Sequence, residues 1–472
     1  MAGDAVNTAA EPLDLADMQG LLVRGYGQLP RAGYLLLHVT HPPAARLIIG
    51  RWAGQLTTAD RAPRSSARNL AFTAAGIGAL RGAGLPEGFS EQFRSGMTAS
   101  TRSRMLGDVG ADDPSGWTWG GPHTTAVHVM LMIFAESSAA LSALVTSHLD
   151  DASAHGLQLV AHLPTDNLGP REHFGFHDGI SQPLMAGLPL AGAGGDVVRA
   201  GEFVLGYVNE YGQRTERPLL PRNADPAHLL PLDADGSGSA DLGRNGSYLA
   251  FRQLRQDVEA FNRYLDEQSR TQDGSVDLPA RNLLAARIVG RWPSGAPLTL
   301  SPALEDPRLA DSNNFSYHHQ DRLGAGCPMG AHIRRTNPRD SLPPSPGTMK
   351  SVAVNRRHRL LRRGRNYSGS TEDQSPYEAT ERGIHFISLN ANLSRQYEFI
   401  QHSWVNDPSF NGLTGATDPL IGPRPAGADT FTVAAMPLRR RYRELPQFVR
   451  VRGGAYFFLP GLRAIHYLLT ER

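Results

Sequence analysis

The chain has 472 residues, 40% of them hydrophobic and 19% charged, with a formal net charge of +2. That composition excludes a disordered or collagen-like polymer and leaves ample chain for a large core. The near-neutral balance supplies no global field for nucleic acid or an anionic lipid surface, and length alone suggests about three domains.

The first residues, 1–17, are acidic and lack an apolar core, so they read neither as a secretory signal nor as a twin-arginine leader. No run approaches the ~18 apolar residues of a membrane span. A cytoplasmic location without membrane contact is the resulting expectation. Gly33 to Thr40 is a short apolar run that predicts a buried strand. Pro42 and Pro43 then open a helical pattern through Ala44, Leu47, Ile48 and Trp52. Asn69 to Thr73 predicts a strand, Gln92 to Gly107 a polar helix, and Thr125 to Ala135 a long apolar strand. Ser137 to His148 is helical and Leu157 to Leu163 a strand. Strand, helix, strand, strand, helix, strand is the ferredoxin-like order.

The second half repeats the theme less clearly. Phe203 to Tyr207 and Tyr248 to Gln253 predict strands, Val258 to Gln268 a helix, Gly383 to Leu389 a strand and Leu393 to Trp404 a helix. Phe448 to Phe458 predicts two short strands around Gly453 and Gly454. The expected fold is α+β: two ferredoxin-like βαββαβ halves with antiparallel sheets, in the manner of a dimeric α/β barrel, over residues 1–215 and 216–472.

Three stretches carry chemistry. In Phe174-Gly175-Phe176-His177-Asp178-Gly179-Ile180-Ser181, Asp178 lies among aromatic residues beside a glycine that allows a sharp turn. A carboxylate in apolar company gains proton affinity, which suits proton transfer; a turn in which Asp178 binds backbone amides is the plainer alternative. His177 beside it is a further base or ligand candidate. In Gly326 to Arg339, His332 is a metal-ligand candidate, and a single imidazole often holds haem iron. Arg334 beside it suits carboxylates. The chain has one cysteine, Cys327, so an internal disulfide, a multi-thiolate metal site and covalent haem attachment through Cys-x-x-Cys-His are all excluded. In Arg359 to Tyr367, a strand ends in a cluster of arginines that never lose their charge. Nearly all the chain's cations are arginine, and Lys350 is its single lysine.

Together, and in this order, the three stretches resemble the signature places of the dye-decolorising peroxidase family. Gly175 to Gly179 matches its Gly-x-x-Asp-Gly motif. Ala331 to Arg339 is similar to the segment with the proximal histidine, and Leu361 to Gly364 to the strand with the distal arginine. Phe386 to Leu389 through Gln401 is similar to a late helix of the family, and the spacings resemble its longer branches.

The resemblance implies one haem b per chain, held in the C-terminal half with His332 as axial ligand. It implies Asp178 as acid–base group and Arg362, rather than Arg363, as electrostatic stabiliser on the peroxide side. Gly179, Ile180 and Ser181 are expected at the haem edge, Asn337, Pro338 and Arg339 on the proximal side, and Arg334 against a propionate. Phe386 and Leu389 are expected as the apolar distal wall, and Glu398 as acceptor for the His332 ring N–H. The implied reaction reduces hydrogen peroxide through a ferryl intermediate and oxidises bulky aromatic, phenolic or dye-like donors. Trp117, Trp119, Trp292, Trp404 and Tyr367 are candidates to relay electrons outward, and homo-oligomers are common for such folds. A haem carrier or iron-releasing protein, a chlorite-decomposing relative, and an interaction domain without cofactor stay open as alternatives.

Overall fold

The computed structural model describes residues 11–82, 84–189, 196–369, 381–425, 427, 429–435 and 438–470. Its first half runs β1 (Arg31–Val39), α1 (Pro42–Ala53), β2 (Ser66–Phe72), β3 (Val129–Ala135), α2 (Ser138–Ala154) and β4 (Leu157–Pro164). The second half runs β5 (Ser247–Gln256), α3 (Val258–Gln268), α4 (His332–Thr336), β6 (Leu361–Arg362), β7 (Arg365–Ser368), β8 (Arg382–Asn390), β9 (Val449–Leu459) and α5 (Leu462–Leu469).

Among the described residues the strands form one nine-stranded sheet in the order β6-β8-β5-β9-β2-β3-β1-β4, with β7 also on β8. Its neighbours are antiparallel throughout. Each half thus has the ferredoxin-like arrangement, second–third–first–fourth strand, as expected from the sequence. The halves join edge to edge where Phe458 of β9 pairs Phe72 of β2.

Local chemistry explains the elements. Every residue of β3 is buried, which is why it reads as an unbroken apolar run. Helix α1 starts where His41 accepts from the Ala44 amide and prolines occupy the first turn. Ser137 caps α2 and Asp257 caps α3 in the same way. Three sequence expectations fail. The Gln92–Gly107 helix is two short helices, Glu91–Ser95 and Ser100–Leu106, because Gly96 takes φ +76° and stops the first. Phe203 to Tyr207 is a buried turn, not a strand. The two strands expected around Gly453 are one, β9, whose register slips between Val451 and Gly453 to absorb the irregularity. Leu393 to Trp404 coils as two wide π-type segments, Ser394–Glu398 and Ile400–Val405.

One core cluster joins the halves: Ile48, Leu70 and Phe72 of the first pack with Tyr248, Phe458, Ile465 and Leu468 of the second. A cavity opens on one face of the second half's sheet, lined by Arg252, Leu254 and Gln256 of β5 and by Ile384 and Phe386 of β8. No helix among the described residues is long and apolar enough to cross a membrane.

Candidate functional site

His332 begins α4 and enters the cavity from one wall, its side chain 26% accessible. Its Nδ1–H donates to Asp418 Oδ2 over 2.9 Å, which leaves Nε2 as the nitrogen with a lone pair. Asp418 is fully buried and also accepts from the Leu420 and Ile421 amides. Burial disfavours its charge, but His332 and these donors outweigh that and hold its carboxyl below the usual range. Burial likewise disfavours an imidazolium at His332, and Asp418 outweighs it to raise the ring's proton affinity. Arg335 anchors the helix beneath by donating to the Trp404, Asp407 and Ala416 carbonyls.

The opposite wall carries Asp178 and Arg362. Gly175 and Gly179 take φ +95° and +86°, left-handed values that fold the loop tightly around the carboxylate. Asp178 Oδ1 accepts from Arg362 Nη1 at 3.0 Å and from the Gly179 amide at 2.6 Å. Its side chain is 52% accessible, but to the cavity rather than to bulk water. Burial pushes its pKa up; the Arg362 charge, the Gly179 amide and the Arg362 hydrogen bond outweigh this, and the net direction is down. Arg362 lines the cavity, whereas Arg363 turns away to the Leu21 and Leu22 carbonyls, as strand alternation requires.

Of the remaining expected residues, Gly179, Ile180, Ser181, Asn337, Arg339 and Phe386 line the same cavity. Asn337 ties the two walls: its Nδ2 donates to Ser181 Oγ at 3.2 Å. Four are placed elsewhere. Arg334 is 1% exposed and turns away, donating to Asp321 and the Cys327 carbonyl with Tyr317 beneath it. Pro338 is not on the cavity wall. Leu389 lies three residues from Phe386 and so faces the opposite side of the sheet, packed with Leu361 and Ile387. Glu398 does not reach His332; it accepts from Arg102 and Tyr456, and Asp418 takes the role expected of it. Cys327 is fully buried, where burial raises its thiol pKa to about 12, so it is a packed thiol. Trp117, Trp119, Trp292, Trp404 and Tyr367 are each at most 5% exposed.

The sequence reading missed Asp418, Arg291 and the inward turn of Arg359. Arg291, Arg339 and Arg359 line the cavity with Arg362. Burial lowers Arg291 and Arg359 to about 10, so all remain cations near neutrality. A flat apolar group that carries a metal at its centre and carboxylates at one edge fits this donor set: one imidazole, apolar walls and a set of arginines. Among the described residues no group of three or more His, Cys, Asp or Glu is placed to hold a bare ion.

No family-level sequence profile matches the chain. Individual proteins do. Peroxidase 2 of Mycetinis scorodonius is 32% identical over 513 residues, covering 98% of this chain and 89% of its own. A dye-decolorizing peroxidase of Auricularia auricula-judae is 34% identical over 362 residues, 72% of this chain and 65% of its own. A crystal structure of a triple mutant of the decolorizing peroxidase from that fungus superposes with TM-score 0.78 at 26% identity, covering 97% of this chain and 100% of that one. With the motif positions gathered at one cavity and these likenesses extending over nearly the whole length, the chain belongs to the dye-decolorising peroxidase family.

Proposed function

We propose that the protein is a haem b peroxidase, with one haem per chain held through His332, that reduces hydrogen peroxide and oxidises bulky aromatic or phenolic donors. The observation that carries this reading is the opposition, across one cavity, of the Asp418-backed imidazole and the Asp178–Arg362 pair. A peroxidase complex with 2,6-dimethoxyphenol is among the similar solved structures, with TM-score 0.75 at 26% identity, and supports the donor class. In this reading residues 1–215 bring the Asp178 loop and residues 216–472 bring the haem-holding walls.

Bound haem iron supplies an open position for peroxide and the electrons that divide its O–O bond. The chain's residues do the rest. Asp178, a carboxylate at neutral pH, takes the proton from the nearer peroxide oxygen and returns it to the farther one, which leaves as water. Arg362 stays charged and stabilises negative charge on the departing oxygen. It also holds Asp178 in place. Asp418 keeps the His332 proton on Nδ1, fixing the ring's orientation and strengthening it as a donor. Arg291, Arg339 and Arg359 would meet the carboxylates of a bound haem, and Phe386 with Ile180 would give the peroxide side apolar walls.

Stopped-flow absorbance of haem-loaded protein mixed with one equivalent of peroxide tests this reading. Asp178→Ala or Arg362→Ala is expected to slow the first spectral change by ~10²-fold or more. Wild-type protein that holds haem through His332 yet shows no fast change would instead be a haem-binding or haem-handling protein.

A further inference from the structure

Glu398, displaced from the role beside His332, occupies a different constellation. Tyr456 of β9 is 2% exposed and its hydroxyl donates to Glu398 Oε1 over 2.8 Å. Arg102 Nη1 donates to both oxygens of the same carboxylate, at 2.6 and 2.8 Å, a charge-assisted pair inside the protein. Tyr397 lies between this pair and the cavity. Its ring lines the cavity wall, 6.2 Å from Phe386 on one side and 6.2 Å from Tyr456 on the other.

A phenol that loses an electron becomes a strong acid, so a buried tyrosine is oxidised readily only when a base receives its proton. The hydroxyls of Tyr26 and Tyr207 donate to asparagine oxygens, which are poor bases. Tyr397 faces Arg252, a group that can only donate. Tyr367 does have a carboxylate, Glu381 at 3.1 Å, but does not line the cavity. Tyr456 combines a carboxylate acceptor with a single aromatic step from the cavity.

We propose that Tyr456 and Glu398 form a proton-coupled store for one oxidising equivalent, reached from the haem through Tyr397. The proposal rests on the peroxidase reading, which supplies the oxidant: haem that has reacted with hydrogen peroxide. One electron passes from Tyr456 to that oxidised haem. The Tyr456 hydroxyl proton passes to Glu398 Oε1, giving a neutral phenoxyl radical beside a carboxylic acid. A donor then returns one electron, and the proton moves back from Glu398 to Tyr456. Burial and the Glu398 charge both raise the Tyr456 phenol's pKa well above its ordinary value, so it holds its proton until it is oxidised. Tyr397, Tyr456 and Glu398 are relay residues; none of them touches peroxide in this scheme.

The test is freeze-quench electron paramagnetic resonance of haem-loaded full-length protein mixed with peroxide without donor, with ordinary and ring-deuterated tyrosine. Wild type is expected to give a radical signal that narrows with the deuterated label. Tyr456→Phe, which removes only a hydroxyl, is expected to lose most of it. Glu398→Gln, which keeps the shape but not the base, is expected to slow radical formation by about 10²-fold. The Soret position of each variant confirms that haem is seated. An undiminished tyrosyl signal in Tyr456→Phe overturns the proposal, as does an unchanged rate in Glu398→Gln. A wild-type Soret band that does not respond to peroxide fails the peroxidase reading itself; a band that responds without any tyrosyl radical fails the store alone.

Discussion

Arg362 touches Asp178 at 3.0 Å, and this contact sets the acid limit of the proposed reaction. Burial alone raises the Asp178 pKa, and the arginine with the Gly179 amide reverses that to a net lowering. A carboxylate whose pKa is depressed stays ionised as pH falls through the ordinary aspartate range, and loses its charge only below it. Only the ionised form can take the peroxide proton. The rate of the first spectral change is therefore expected to hold down to pH values below that range. In Arg362→Leu the burial contribution stands with less opposition, so the acid limb is expected to move to higher pH as well as the maximum rate falling. A limb at the same pH in both proteins would mean that a different group takes the proton.

The secondary-structure elements carry the site by alternation, and a glycine in β8 shows how little slack they have. Gly383 pairs with Tyr367 across β7–β8, and the tyrosine ring lies over it. A Cβ at Gly383 would sit 2.0 Å from the Leu254 carbonyl oxygen and 2.6 Å from the Tyr367 ring. Gly383→Ala is expected to cost about 1–3 kcal/mol, the usual range for overpacking, read as a lower urea midpoint. Alternation also decides what the sequence could reveal. The loop with Asp178, the start of α4 and the end of β6 each have a local pattern of glycine, proline or apolar residues, and the structure brings all three to one cavity. Leu389 was expected at the cavity from the family resemblance, although its odd separation from Phe386 already put it on the other face. Asp418 had no such signal. It lies 86 residues beyond His332 in an irregular loop, and only the tertiary fold brings its carboxylate to the ring. Arg334 and Arg359 illustrate the same limit: one arginine beside the histidine packs away from it, while one 25 positions later turns in.

At the scale of the molecule the two halves share a core and a sheet. Phe458 is fully buried at the join, beside Phe89, Phe93 and Tyr248. Phe458→Ala is expected to cost about 3–5 kcal/mol, as for other buried aromatic truncations. Because the cluster includes residues of both halves, hydrogen exchange should rise together in β3 of the first and β8 of the second. Loss of protection in one half alone would show that they open independently. The first half was readable because β1 and β3 are largely apolar runs; in the second, the interval between β5 and β6 is longer than any between strands of the first half, and β6 itself is only two residues long.

Helix α5 lies across α1, an element placed more than 400 positions earlier in the chain. About 300 residues separate β4 from α5, so at roughly 5–20 residues per second a ribosome spends roughly 15–60 s between completing the first half's strands and making their cover. For that interval the part of α1 that α5 covers in the finished fold has no cover from it. The cavity walls, drawn from positions as distant as Leu106 and Val451, assemble on the same schedule. A closed cavity, and any ligand it takes, therefore waits for translation of β9.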